Sequence, residues 1–285
     1  MLMVQSKYRL CELFGIPIFV DISFAVLLLI FATSQSSLTG GLAWALALAV
    51  SVVLHELGHS LTARAFGYQT RDITISLLGG CASLTAMPKK AMQEFLTAIA
   101  GPAVSFALAI GSVLAMGFVA TDGSALALLW HILTRTVKVG AVGHVVLFVS
   151  GDEAIFTCGD AAYRLVDLLI DFGCMNAMLG AFNLLPGFPM DGGRIFRSVM
   201  RAFMSRPKAT FIAMWVGRAF AILLGMSGLV AVFNGGNWGF VRILIAWMIW
   251  REGMREYRMS LQDERWTSWS QGDFNARVSP PPYDL

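Results

Sequence analysis

Histidine, charge and paired cysteine are all scarce in this 285-residue chain, and each shortage closes off a class of function. Charged residues make up 14% and hydrophobic residues 56%, a balance that water-soluble domains of this size rarely show. The net charge of +3 is small. No basic run with interleaved aromatics occurs, so no nucleic-acid partner is expected. Cys11, Cys81, Cys158 and Cys174 form no C-x-x-C pair, which argues against a cysteine zinc site and against a disulfide framework. The first long apolar run has no small-residue cleavage site after it, so it reads as a retained span and not as a signal peptide.

What the chain has in quantity is apolar sequence, in lengths near the ~20 residues that cross a bilayer. The expected fold is an all-α polytopic membrane protein with about six transmembrane helices. The spans are placed near residues 16–33, 42–66, 95–120, 163–185, 211–233 and 240–250. Residues 1–258 are read as one intramembrane domain and residues 259–285 as a polar, loosely ordered cytoplasmic tail ending in Pro280-Pro281-Pro282. Basic residues set the orientation. Lys7 and Arg9 precede the first span; Arg64, Arg71, Lys89 and Lys90 follow the second; Arg194, Arg197, Arg201, Arg206 and Lys208 follow the fourth; Arg251, Arg255 and Arg258 follow the sixth. Six spans with both termini in the cytoplasm, in a cell (inner) membrane, satisfy this pattern, with only Arg135 and Lys138 on the outer side.

Two short segments are not spans. Residues 72–77 and 81–87 alternate, are rich in β-branched residues and are separated by Gly79-Gly80. They predict a small membrane-associated β-hairpin directly after the second span. Within residues 121–162, the sequence allows a short interfacial helix at 124–133 and a short strand at 144–149. Met and Trp, 15 and 8 in number, fit membrane packing and interfacial anchoring better than a cofactor site.

The scarce histidines then acquire weight. Two of the four stand in His55-Glu56-Leu57-Gly58-His59, inside the second apolar run. With seven Glu in the chain, the chance expectation for H-E-x-x-H is of the order of one in a thousand. Residues four apart lie on one helical face, so His55 and His59 can offer ring nitrogens to one ion. Glu56 lies about 100° around the axis, within reach of a water at that ion without being a ligand. Zinc suits two imidazoles and a carboxylate, with a fourth position left for water. The competing structural reading is an interhelical polar cluster, disfavoured because polar groups in lipid are costly. His131 and His144 read as solvated or interfacial residues on the outer side.

A two-histidine site is one ligand short. Asp191 is the candidate, in Asn183-Leu184-Leu185-Pro186-Gly187-Phe188-Pro189-Met190-Asp191-Gly192-Gly193. Prolines and glycines there must break the helix, and broken backbone at membrane depth is tolerated where it lines a polar cavity. The alternative is that Asp191 merely caps the helix that follows.

Taken together, the chain resembles the site-2 protease family of intramembrane zinc metalloproteases. The resemblance rests on His55–His59, the Asn183–Gly193 stretch, Ala100-Gly101-Pro102, Gly15-Ile16-Pro17-Ile18 and Gly79-Gly80, and it covers residues near 10–255. It implies one zinc ion held by His55, His59 and Asp191, Glu56 as catalytic acid/base, and Asn183 as a residue that binds the substrate main chain. It also implies regulated proteolysis of a transmembrane protein substrate within the lipid bilayer. The form is compact: no loop is long enough for a PDZ insertion, and no C-terminal nucleotide-binding pair is expected. Many relatives have a histidine in the first span where this chain has Asp21, which reads as interfacial. Gly101 and Pro102 read as packing and kink residues. The hairpin near residues 72–87 offers an edge strand to which an unwound substrate can add.

Two rival functions remain at this stage. A transporter or proton channel explains buried polar residues but not the motif joined to a helix-breaking Asp loop, and no internal repeat is seen. A non-catalytic binding member of the family requires a missing catalytic residue, and none is missing.

Overall fold

The computed structural model describes residues 7–34, 38–76, 79–85, 88, 90–119, 138–142, 145–150, 153–158, 163–235 and 239–272. Two compact units divide the chain, Met1–Leu184 and Leu185–Leu285.

The first unit begins with a β-hairpin. β1 (Lys7–Leu13) and β2 (Ile16–Asp21) run antiparallel, joined at Phe14 and Gly15, both with positive φ. Helices α1 (Ile22–Ser34) and α2 (Leu38–Ala65) follow. They form the crossover that lets β3 (Thr70–Ser76) lie parallel to β2. β4 (Gly79–Leu84) then pairs antiparallel with β3, giving the order β1-β2-β3-β4. Alternation explains the inner face: Ile16 and Ile18 of β2 and Ile73 and Ile75 of β3 are buried against Phe24, Val52 and Leu57 of the helices. Gly67, at φ +86, ends α2. Tyr68 N–H donates to Ala63 O and Gly67 N–H to Arg64 O, a Schellman closure that turns the chain toward β3.

α3 (Ala91–Val119, with Pro102 inside) and α4 (Tyr163–Asn183) complete the helical part of this unit. Asn176 of α4, fully buried, donates to Ser51 Oγ of α2 at 2.9 Å. Strands β5 (Lys138–Val142), β6 (Val145–Ser150) and β7 (Glu153–Cys158) form an antiparallel meander.

The second unit holds α5 (Asp191–Met200), α6 (Arg206–Phe233) and α7 (Gly239–Gly272). The loop before α5 lies close on α6: a Cβ at Gly187 would stand 2.9 Å from Gly217 Cα. Phe188, wholly buried, lies under the Arg197 guanidinium, 4.9 Å from its ring centre, and Arg197 pairs with Glu256 of α7 at 2.8 Å.

Several expectations change. Ile16–Asp21 is a strand and not the start of a span, and α1 has 13 residues, short of the ~20 needed to cross. Three helical stretches among the described residues are long and apolar enough to cross a membrane, Gly41–Ala65, Ala91–Met116 and Arg206–Phe233, and Leu168–Asn183 is a shorter apolar helix. The fold is therefore helical with two small sheets, and the hairpin expected after the second span is half of a four-stranded sheet. Gly79 and Gly80 lie within β4, not in its turn. Residues 259–272 continue α7 as regular helix. The expected helix at 124–133, His131, His144 and residues 273–285 lie outside the described residues.

Candidate metal centre

The helix α2 carries three jobs on three faces. Leu57 turns into the apolar cluster formed with the sheet, which sets the rotation of the helix. His55 and His59, one turn apart, then face α3, and Glu56 faces β4. All three are buried, with exposures of 3%, 7% and 8%. Gly58 permits the close approach of α3, since a Cβ there would lie 2.9 Å from Ala100 O and Val104 Cγ2.

Each imidazole is held from behind. His59 Nδ1 lies 2.7 Å from Thr97 O. A carbonyl only accepts, so Nδ1 carries the proton and the Nε2 of the neutral ring does not. His55 Nδ1 lies 2.9 Å from Ser105 Oγ, which can accept from it in the same way. The two Nε2 atoms point at each other, 3.2 Å apart. Two nitrogens on a tetrahedral zinc at ~2.0–2.1 Å are separated by about 3.3 Å. The donor set and its spacing therefore fit zinc. So does the face of α3 between those two partners, where Gly101 presents only its Cα: a Cβ there would overlap His59 Nε2 and lie 2.7 Å from His55 Nε2.

Glu56 is placed by β4. A Cβ at Gly80 would overlap Glu56 Cγ and stand 2.7 Å from Oε1. The carboxylate thus lies against bare backbone at the strand, one residue along α2 from the first imidazole.

Asp191 belongs to the second unit. It is the first residue of α5, 7% exposed, where the positive end of the helix dipole favours a carboxylate. The cap position is taken by Met190, in extended conformation, whose carbonyl accepts from Gly193 N–H at 3.1 Å. Asp191 is thus not the capping side chain. Asn183 closes α4, and its Nδ2 donates to Leu179 O at 3.0 Å, bonding to the carbonyl of its own last turn. Asp21 ends β2, and its Oδ1 accepts from Ser23 N–H at 2.8 Å, starting α1. It has a structural duty of its own.

Sequence reasoning missed Thr97 and Ser105 of α3 and read Gly101 only as a packing residue. Thr97, Gly101 and Ser105 follow each other at four-residue steps, one face of one helix, and that regular spacing of small and polar residues in a span was the available signal.

Comparison with known proteins agrees with this geometry. The family model "Peptidase family M50" matches residues 43–225, which include the His55–His59 turn of α2 and all of α3. A zinc metalloprotease of Methanocaldococcus jannaschii is 32% identical over 80% of this chain and 56% of its own length. A Synechocystis sp. protein named as a zinc metalloprotease is 32% identical over 86% of this chain and 58% of its own. The chain thus spans somewhat more than half the length of these relatives. The solved structure of a site-2 protease from Methanocaldococcus jannaschii superposes with a TM-score of 0.56 at 28% identity, covering 88% of this chain and 95% of that one. With a buried His-Glu-x-x-His helix whose nitrogens stand at zinc spacing, and a family match over more than half of its residues, this chain belongs to peptidase family M50.

Proposed function

We propose that the chain is a zinc-dependent endopeptidase that hydrolyses peptide bonds in or near the transmembrane segments of other membrane proteins, as a step of regulated intramembrane proteolysis. The observation that carries this reading is the facing pair of His55 and His59 nitrogens, 3.2 Å apart, inside a helix apolar enough to cross a membrane. Buried polar groups at such a place are costly and belong with function.

His55, His59 and Asp191 would hold the ion. Asp191 enters because two imidazoles leave zinc short of a protein ligand and because it is buried behind a helix break. When bound, zinc supplies Lewis-acid polarisation of the scissile carbonyl and lowers the pKa of water at the site. Glu56 takes the proton from the attacking water and delivers it to the leaving amine. Its burial beside β4 keeps that transfer away from bulk solvent. Asn183 meets the substrate main chain through Oδ1 and the second hydrogen of its amide, since the first is given to Leu179 O.

A helical substrate bond is shielded by its own hydrogen bonds, so the substrate has to unwind. Of the hairpin's two strands, β3 has neighbours on both sides, β2 and β4, and β4 is the outer one. The edge beside Glu56 is β4, and an extended substrate segment adds there. A photo-crosslinker at Ser83 should capture a membrane substrate, and one at Arg9 on the far edge strand should not. Equal capture at both would end the β4 assignment.

The basic-residue pattern supports cytoplasmic termini and a site in the cytoplasmic half of the membrane; reporter fusions at each end read this directly. The central test is Glu56→Gln. It should retain zinc and lose proteolysis, about a thousandfold or more, as expected for a proton-transfer group. Membrane fragments from cells with wild type and with the variant, compared by proteomics, would name the substrate. Equal processing by both would sink the protease reading.

A further inference from the structure

We propose that α3, which supplies no ligand to the ion, is the element that decides whether zinc enters, and that Gly80 on the other side of α2 separately decides where Glu56 stands. The proposal deepens the peptidase reading and rests on it for the Glu56 half.

The argument for α3 is steric and electrostatic at once. His55 and His59 cannot retreat, because Ser105 Oγ and Thr97 O occupy the positions behind their Nδ1 atoms at 2.9 and 2.7 Å. Those contacts orient the Nε2 atoms toward the ion, as outer partners of metal-binding histidines do. On the near side stands Gly101, whose missing Cβ would overlap His59 Nε2 and lie 2.7 Å from His55 Nε2. A carbon that close overlaps the nitrogens themselves, which must leave the positions from which both reach one ion. One methyl group at position 101 therefore displaces the metal-facing nitrogens from the spacing that zinc requires. Gly101 and Pro102, expected from sequence to serve packing, so acquire a second duty at Gly101.

Gly80 acts on a different atom. Its missing Cβ would overlap Glu56 Cγ and reach 2.7 Å from Oε1, while neither histidine nitrogen is among the atoms it would meet. A methyl there swings the carboxylate away and leaves the imidazoles in place. Both glycines are positioning residues: one acts through the histidines, the other through Glu56.

The test is zinc content and kinetics on the full chain, purified in detergent. Gly101→Ala should fall from about one zinc per chain to a tenth of that or less. Gly173→Ala is the control. Its Cβ would crowd Ser112 Cβ at 3.1 Å on the α3–α4 contact, a comparable small-residue packing site away from the nitrogens, and it should keep its zinc. Wild-type zinc content in Gly101→Ala, or equal loss in both variants, overturns the proposal for α3. If Gly101→Ala does not fold, Ser105→Ala decides the point without adding an atom: zinc affinity should weaken about tenfold or more, and an unchanged affinity overturns it. Gly80→Ala should keep full zinc and lower kcat at least about tenfold with KM little changed. Loss of zinc there, or an unchanged kcat, overturns the Gly80 half. Zinc is measured without substrate, so the α3 result stands or falls separately from the protease reading.

Discussion

Two buried polar groups, one in each unit, look alike in burial and differ in how they are matched. Arg197 and Glu256 in the second unit meet opposite charge to opposite charge at 2.8 Å, 1% and 9% exposed. His55 and His59 in the first unit turn like against like, nitrogen to nitrogen at 3.2 Å. A complementary pair is complete in itself and serves the fold. Two imidazole nitrogens at that spacing fit a cation between them, and that difference, more than burial, separates the chemical site from the structural one. The ion-pair cluster holds the Phe188 loop onto α7; the histidine cluster is organised by α3 from behind.

The contrast can be broken from either side. The largest effect belongs to the histidines. His59→Ala should remove bound zinc almost entirely and with it all peptidase activity, while the fold survives. Metal analysis and a melting curve on the same sample check both halves.

Arg197→Met and Glu256→Gln should do the reverse: activity falls only as far as stability does, and stability falls by about 3–5 kcal/mol, the cost of leaving one buried charge unmatched. Glu256→Gln should be the worse of the two. The Glu256 carboxylate faces Arg194 and Arg206 as well as Arg197, so its loss removes a counter-charge from all three, of which Arg206 keeps its pair with Asp263 at 2.8 Å. Replacing both partners by apolar residues should recover most of the loss.

The pH dependence follows the same pair. Burial pushes the Glu256 carboxyl up, but the nearby Arg197, Arg194 and Arg206, with the Arg197 hydrogen bond, pull it further down, so its pKa lies below its ordinary 4.5. A depressed folded pKa means the carboxylate stabilises the fold fully above about 4.5, and that stabilisation is lost as pH falls through the folded value. Melting curves should show an acid step in wild type that Glu256→Gln lacks.

The smallest effect is expected at Asn176→Ala. Its bond to Ser51 joins α4 to α2, and such interhelical bonds in membranes are worth about 0.6 kcal/mol. A loss several times larger would mean that α4 sets the rotation of α2 and hence the histidines.

Legibility followed distance along the chain. His55, Glu56 and His59 were readable because their relation is one helical turn, and a spacing of four residues is written directly in the sequence. The helix break at Pro186–Pro189 was readable for the same local reason. The apolar run at 16–33 misled, because a buried strand and the start of a span have the same hydropathy over six residues; the β1 pairing at Lys7–Leu13 and the parallel partner β3 decide for strand. Which strand of the hairpin is outermost was not legible in the same way, since that depends on pairings between distant segments, and these leave β4 at the edge.

The sequence by itself determined the chemistry: two imidazoles and a carboxylate on one turn of an apolar helix, in a chain of a recognisable family. Tertiary structure alone decided what surrounds that turn. Thr97, Gly101 and Ser105 lie some 40 to 50 positions from the histidines they hold, and Gly80 lies on a separate sheet from the helix it faces. Such relations arise from the packing of one element on another, where a missing methyl group and a carbonyl behind a ring take their meaning only from what stands opposite.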